Sequence, residues 1–286
     1  MDKSSITKQM LSGNNTLNSI IVRIDFLTID VKNLVEQLLI KLGEQYTYNQ
    51  INSYNINLDI SDPKKLITQD FINQKVNTNN NYEFKNNNED FRFVINQNFF
   101  LYERKAFNNY EGSDKDTDLY KELIKIIFES SPKVQRLGVR KTNMIFLEQN
   151  IEFLKEITDN QFIKTLNDNK NQKFSILYTP LEDNEKNGYN INTQLDYGKL
   201  KIENQEKEAY RFVLDIDSYI RDIQQIDTYE KVCDEINNLK SQDFELYKSQ
   251  MSEKFLQTIV TNEEIKFKEE MEKLGILYGV NYGKHE

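Results

Sequence analysis

Val134-Gln135-Arg136-Leu137-Gly138-Val139-Arg140-Lys141-Thr142-Asn143-Met144-Ile145-Phe146-Leu147 is the stretch that decides the fold. It is too rich in β-branched and large apolar residues to be a loop, and Pro132 just before it closes whatever helix precedes it. Read as one long strand, it sends successive side chains to opposite faces. Arg136, Gly138, Arg140 and Thr142 then share one face. Asn143 lies on the other unless a bulge changes the register. Gly138 marks either such a bulge or the close approach of another backbone.

Moving outward toward the N-terminus, Asn18 to Phe26 alternates, with Ile20, Val22, Ile24 and Phe26 on one face and Arg23 and Asp25 on the other. Asp30 has the character of an N-cap for a helix carrying Val31, Leu34, Val35, Leu38, Leu39 and Leu42 at helical spacing, with Gly43 at its C-terminal end. Short strands follow at Ile56–Ile60, Tyr82–Lys85, Phe91–Ile95 and Phe99–Glu103, the middle two forming a hairpin around Asn86-Asn87-Asn88. The Asn-rich residues 72–90 read as a mobile loop. A helix from Asp116 or Asp118 carries Leu119, Leu123, Ile126 and Ile127.

The second half repeats the rhythm. A short helix is expected over Asp159–Leu166, with strands at Lys173–Tyr178, Tyr189–Tyr197, Leu200–Ile202 and Tyr210–Ile216, and turns at Gly188 and Gly198. Helices at Thr228–Lys240, Phe244–Leu256 and Asn262–Leu274 close the chain. The pattern is α+β, a mostly antiparallel sheet with helices on one face and a helical C-terminus. The expected organisation is a flexible arm over 1–18, units over 19–147 and 148–275, and a tail over 276–286. The two units are either related α+β units or halves of one continuous sheet.

Composition narrows the chemistry. The chain has 286 residues, a net charge of −9, one cysteine (Cys233) and one histidine (His285). A single cysteine excludes an intramolecular disulfide framework and cysteine-based zinc sites. A lone histidine beside the C-terminus leaves no base for a Ser-His-Asp or Cys-His centre. Neither a P-loop nor a G-x-G-x-x-G fingerprint occurs, and no cofactor is expected. The acidic balance disfavours non-specific nucleic-acid binding. With no membrane-length apolar run and no apolar segment in the first residues, the chain reads as cytoplasmic.

Two constellations remain. Arg136 and Arg140, flanking Gly138, either pair with sheet acids such as Asp215 or Asp25, the reading the sequence favours, or grip an oxyanion of a ligand. With Asn143 they form the candidate ligand- or partner-binding set. Asp215 and Asp217, two apart on a strand, turn both carboxylates to one side and are the alternative, a metal pair for phosphodiester chemistry. Phe99, Phe100 and Tyr102 read as sheet packing, with base stacking as the alternative.

Arg136-Leu137-Gly138-Val139-Arg140-Lys141-Thr142-Asn143-Met144-Ile145 resembles the R-x-G-x-R-Y-x-N-x-I hallmark of a sporadically distributed, largely uncharacterised bacterial family, with Lys141 in place of the aromatic residue. The strand Val213-Leu214-Asp215-Ile216-Asp217, and the later Phe255 and Thr261-Asn262-Glu263, are similar to that family's D-x-D strand and threonine-capped closing helix. The resemblance implies an α+β fold and an occurrence tied to mobile elements or antiviral defence; it implies no established activity. The expectation is therefore a non-enzymatic binding protein, a sensor, adaptor or neutralising partner of a defence or toxin-control module. Its partner would be a protein, one that an adjacent gene could encode. A metal-dependent phosphodiester-cleaving enzyme and a specific RNA binder stand as alternatives, and a homo-oligomer remains open.

Overall fold

The computed structural model describes residues 2–11, 16–56, 76–88, 90–105, 117–148, 150–166, 173–180, 187–202, 205–221, 226–260 and 264–277. Its centre is an antiparallel sheet of nine strands: β1 (Leu17–Phe26), β2 (Tyr46–Ile56), β3 (Val76–Asn86), β4 (Phe91–Ile95), β5 (Phe99–Lys105), β6 (Val134–Glu148), β7 (Phe174–Tyr178), β8 (Asn187–Ile202) and β9 (Gln205–Arg221). Their spatial order is β2-β3-β4-β5-β1-β6-β9-β8-β7. Seven α-helices are described: α1 (Val31–Leu42), α2 (Thr117–Phe128), α3 (Ile151–Ile157), α4 (Gln161–Lys164), α5 (Tyr229–Gln250), α6 (Glu253–Ile259) and α7 (Glu264–Lys273). The chain is α+β, as its patterning predicts.

Two runs of the chain have the same plan. β1 leaves through α1 and returns through the meander β2 to β5, whose last strand pairs with β1. β6 leaves through α3 and α4 and returns through β7 to β9, whose last strand pairs with β6. The first strands of the two runs meet antiparallel at the middle of the sheet, Val22 opposite Val139. This register pairs Arg23 with Gly138 and Ile21 with Arg140, so a local two-fold through the valine pair exchanges Arg23 and Arg140. β6, which the sequence reading grouped with residues 19–147, opens the second run, and the sheet is continuous from one run into the other.

Alternation decides which side of each strand is buried. Ile20, Val22, Ile24 and Phe26 of β1, Leu137, Val139, Ile145 and Leu147 of β6, and Phe212, Leu214 and Ile216 of β9 enter one core. Helices cover that side: α5 lies along β6 and β9 and touches α2, which packs on α1. α1 contributes Leu34, Val35, Leu38 and Leu42, with Asp30 accepting from the Lys32 N–H and Gly43 leaving the helix at φ 63°. Burying such a stripe, at about 25 cal/mol per Å² of apolar surface, is what holds a surface helix on a sheet. The opposite face of the sheet carries no helix among the described residues. No helix among them is long and apolar enough to cross a membrane.

Several elements depart from expectation. The part of residues 72–90 that is described as Val76–Asn86 is strand β3, zipped along its full length to β2 from Tyr46↔Asn86 to Ile56↔Val76. Asparagine content suggested a loop, but cross-strand pairing overrides that weak propensity. The expected strand Ile56–Ile60 shares only Ile56 with β2; its other residues lie outside those described. Residues 2–11 were expected as an arm, yet Ile6 is buried in the core, and its carbonyl accepts from Lys248 Nζ at 3.2 Å. The expected helices Thr228–Lys240 and Phe244–Leu256 are instead α5, continuous through Ser241-Gln242-Asp243, and then the short α6. Gly198 lies within β8. Of the expected tail, Ile276 and Leu277 lie along β6, where Leu277 N–H donates to the Phe146 carbonyl at 2.9 Å.

Candidate functional site

The sheet's uncovered face gathers the charged residues that the sequence singled out. Arg136, Gly138, Arg140 and Thr142 do share it, because β6 runs without a break in register from Ser19↔Thr142 to Asp25↔Arg136 against β1 and throughout its pairing with β9. Gly138 is therefore not a bulge. Its missing side chain makes room for Arg136, whose guanidinium nitrogens would stand 3.3 Å from a Cβ there.

From β1 to β9 the charges alternate in sign. Arg23 Nε donates to Asp25 at 2.7 Å. Arg136 reaches Asp25 at 3.6 Å on one side and Asp217 at 3.3 Å on the other. Arg140 makes a two-pronged contact with Asp215, Nε to Oδ1 at 2.7 Å and Nη2 to Oδ2 at 2.5 Å. The planar fork of arginine matches the two carboxylate oxygens, and this bonding holds the Arg140 guanidinium above its already high value, burial opposing it. Burial pushes the Asp217 carboxyl up, while Arg136 and Arg140 pull it back.

Tyr219 completes the centre. It stands opposite Gly138 on one neighbouring strand and Gly188 on the other. Arg136 and Arg221 lie over its ring, at 5.1 and 4.6 Å from the centroid. A Cβ at Gly188 would meet the Tyr219 ring at 2.7 Å. Gly188, read from the sequence as a turn, is a strand residue kept small by a tyrosine. Beside this centre, Arg140, Asp215, Asp217, Asn190, Asn192 and Leu177 line a depression of about 190 Å³. A second depression of about 240 Å³ lies among Glu83, Lys85, Asp90, Arg92, Glu103 and Lys105. There burial raises the Glu83 carboxyl, but hydrogen bonds from Arg92 and Lys85 outweigh it and leave the carboxyl below its usual value.

Asn143 does not join the arginines. It faces the helices, where its Oδ1 accepts from Thr16 Oγ1 at 3.2 Å; that hydroxyl also bonds the Tyr247 hydroxyl at 3.0 Å. Next to it the helix side of β6 and β9 holds a second polar cluster that the sequence reading missed. Lys141, Lys240 and Asp243 are each 1 % exposed. Lys141 Nζ donates to the Lys240 carbonyl at 3.2 Å, Lys240 Nζ donates to the Tyr120 hydroxyl at 3.2 Å, and Ser218 Oγ donates to Asp243. Alternation alone places Lys141 on the apolar side, one residue after the outward Arg140, so the signal was present in the sequence.

The alternative metal pair does share one face, but each carboxylate is engaged by a guanidinium, Asp215 by Arg140 and Asp217 by Arg136. Among the described residues no group of three or more His, Cys, Asp or Glu side chains is arranged to hold a metal ion. Cys233 is buried on α5, and burial pushes its thiol up, away from the reactive thiolate. His285 lies outside the described residues. Of the aromatics weighed for base stacking, Phe100 and Tyr102 are buried in the core, and Arg23 lies 4.6 Å over the Phe99 ring. Neither the protein-family models nor the curated proteins contain a match to this sequence.

Proposed function

We propose that this chain is a non-enzymatic binding protein that takes a protein partner on the uncovered face of its sheet. The observation that carries this reading is the charge ladder Arg23–Asp25–Arg136–Asp217 with Arg140–Asp215 beside it, on a sheet face that carries no helix among the described residues. Charges of both signs, already matched to one another, steer and orient a partner whose surface also carries both signs. A phosphate backbone approaching the same face would meet Asp25, Asp215 and Asp217, which disfavours nucleic acid. The likeness to a sporadic defence-associated family supports placing the partner in a defence or toxin-control module, as the product of an adjacent gene.

A site-specific photo-crosslinker tests this in cells that also carry the neighbouring genes. Placed at Leu177, 66 % exposed beside Arg140, it should give a discrete protein adduct; placed at Ile40, 84 % exposed on α1, it should not. Arg140→Glu should abolish the adduct while the melting transition persists. A nucleic-acid adduct at Leu177, or a protein adduct indifferent to Arg140→Glu, would overturn the reading.

A further inference from the structure

The outermost strands of the sheet break a rule that the inner strands keep. Each of the seven strands from β3 to β8 in spatial order contains at least one charged residue, as Glu83 and Lys85 in β3 or Arg92 in β4. The two edge strands contain none: β2 is Tyr46-Thr47-Tyr48-Asn49-Gln50-Ile51-Asn52-Ser53-Tyr54-Asn55-Ile56, and β7 is Phe174-Ser175-Ile176-Leu177-Tyr178. In a chain with 29 % charged residues this is the reverse of the usual arrangement. A sheet edge exposes a row of backbone donors and acceptors, and edges are ordinarily guarded by lysine, proline or a bulge. β2 has none of these. It pairs residue for residue with β3 over all eleven positions, with no bulge, and among the described residues no strand pairs with its outer edge.

We propose that the outer edge of β2 is an interface for a second copy of this chain, the two β2 strands pairing antiparallel about a two-fold axis into one continuous sheet. An isologous contact sets identical strands against each other, so a charge near the axis would meet its own like charge. A strand of Asn, Gln, Ser, Thr, Tyr and Ile avoids that repulsion, and its amides bond equally well to their own kind. Length favours β2 over β7, eleven residues against five, because each further residue in register adds backbone hydrogen bonds. Tyr48 and Ile51 are 38 % and 44 % exposed and fall on opposite faces of the strand, so each face of the joined sheet gains an apolar cross-strand contact. A foreign peptide adding to the same edge would need side-chain pockets beside it for selectivity. Among the described residues, the two depressions described above lie inboard of β2, among β3, β4 and β5 and among β6 to β9.

Sedimentation velocity of the full chain over a wide concentration range decides the matter. The wild type should pass from 34.0 kDa to twice that mass as concentration rises. Asn49→Lys with Ile51→Lys, both at exposed positions, should hold the chain at the monomer mass while melting like the wild type at dilutions where both are monomeric, and Gln50→Lys on the other face of the strand should do the same. Leu177→Lys on β7 should leave dimerisation intact. A wild type that stays monomeric throughout, a dimer indifferent to the β2 lysines, or a dimer lost only with Leu177→Lys would each overturn the proposal. The mass readout does not involve Arg140, and Gln50→Lys lies on the face of β2 away from Asp215 and Asp217, so the proposal stands or falls separately from the partner-binding reading.

Discussion

Arg140 and Lys141 are successive cations on one strand, and they live in different physical worlds. Arg140 points to the uncovered face, half of its side chain in solvent, with its charge met by Asp215. Lys141 points into the helix layer, almost wholly dry, with its ammonium on the backbone carbonyl of Lys240 and Asp243 nearby. Water screens the first pair and lowers what it contributes to stability. Bulk solvent does not reach the second, whose members are each 1 % exposed, and each matters far more when removed than when present. A charge on one side of this sheet is available for recognition, while a charge on the other side is a structural constraint on how α5 docks.

The largest test of that contrast is Lys141→Ala. It leaves a cavity where a long side chain was fully buried and strips the counter-charge from beside Asp243. We expect a loss of about 3–5 kcal/mol by chemical denaturation. A loss under about 1 kcal/mol would mean that the buried cluster is not held as described.

A second test uses pH. Complete burial holds the Asp243 carboxyl well above the usual carboxylate range, with Lys141 pulling it down. A carboxyl raised in the folded state binds its proton there more tightly than in the unfolded chain. Its contribution is therefore present at low pH and is lost as pH rises from the unfolded value of about 4 through the folded one. Asp243→Asn cannot ionise, so its stability relative to the wild type should improve as pH rises through that window. A difference that is flat with pH would place Asp243 in a wetter setting.

The smallest expected effect is Arg140→Ala, at about 1–2 kcal/mol. Asp215, only 10 % exposed at its side chain, loses its guanidinium, but half of the arginine was already in water. Adding Asp215→Asn should restore most of the loss, since a neutral amide does not need the missing cation. If Arg140→Ala cost as much as Lys141→Ala in the same titration, the two faces would not differ in the way argued.

How legible this was in the sequence follows the same division. β6 was readable almost to the residue, and its alternation placed Arg136, Gly138, Arg140 and Thr142 together and Asn143 apart. α1 was equally plain, because Asp30, the leucine stripe and Gly43 all agree. What alternation could not supply were the partners across strands. Asp25 and Asp217 meet Arg136 only because β1 and β9 flank β6, a fact of topology that no local pattern encodes. The glycines at 138 and 188 looked like punctuation; their reason is the bulk of Arg136 and Tyr219, which lie beside them only after folding. Ser241-Gln242-Asp243 looked like a helix break for the same reason, since the bond from Ser218 to Asp243 that suits it to a buried helix face is contributed by β9.

The far end of β6 carries one more implication. Beyond the reach of β1, its Met144 N–H donates to the Thr16 carbonyl at 2.8 Å, and two residues later its Phe146 carbonyl accepts from Leu277 N–H at 2.9 Å. Residues 16 and 277 thus dock on neighbouring stretches of the same central strand. While the chain is being made on a ribosome, the strand that organises the sheet emerges about midway through the 286 residues and waits for a segment synthesised some 130 residues later. Contacts of such long sequence separation close slowly and expose unfinished edges in the meantime. Docking of Ile276 and Leu277 on β6 is therefore a late-closing contact, and until it forms the Phe146 end of the strand lacks that partner.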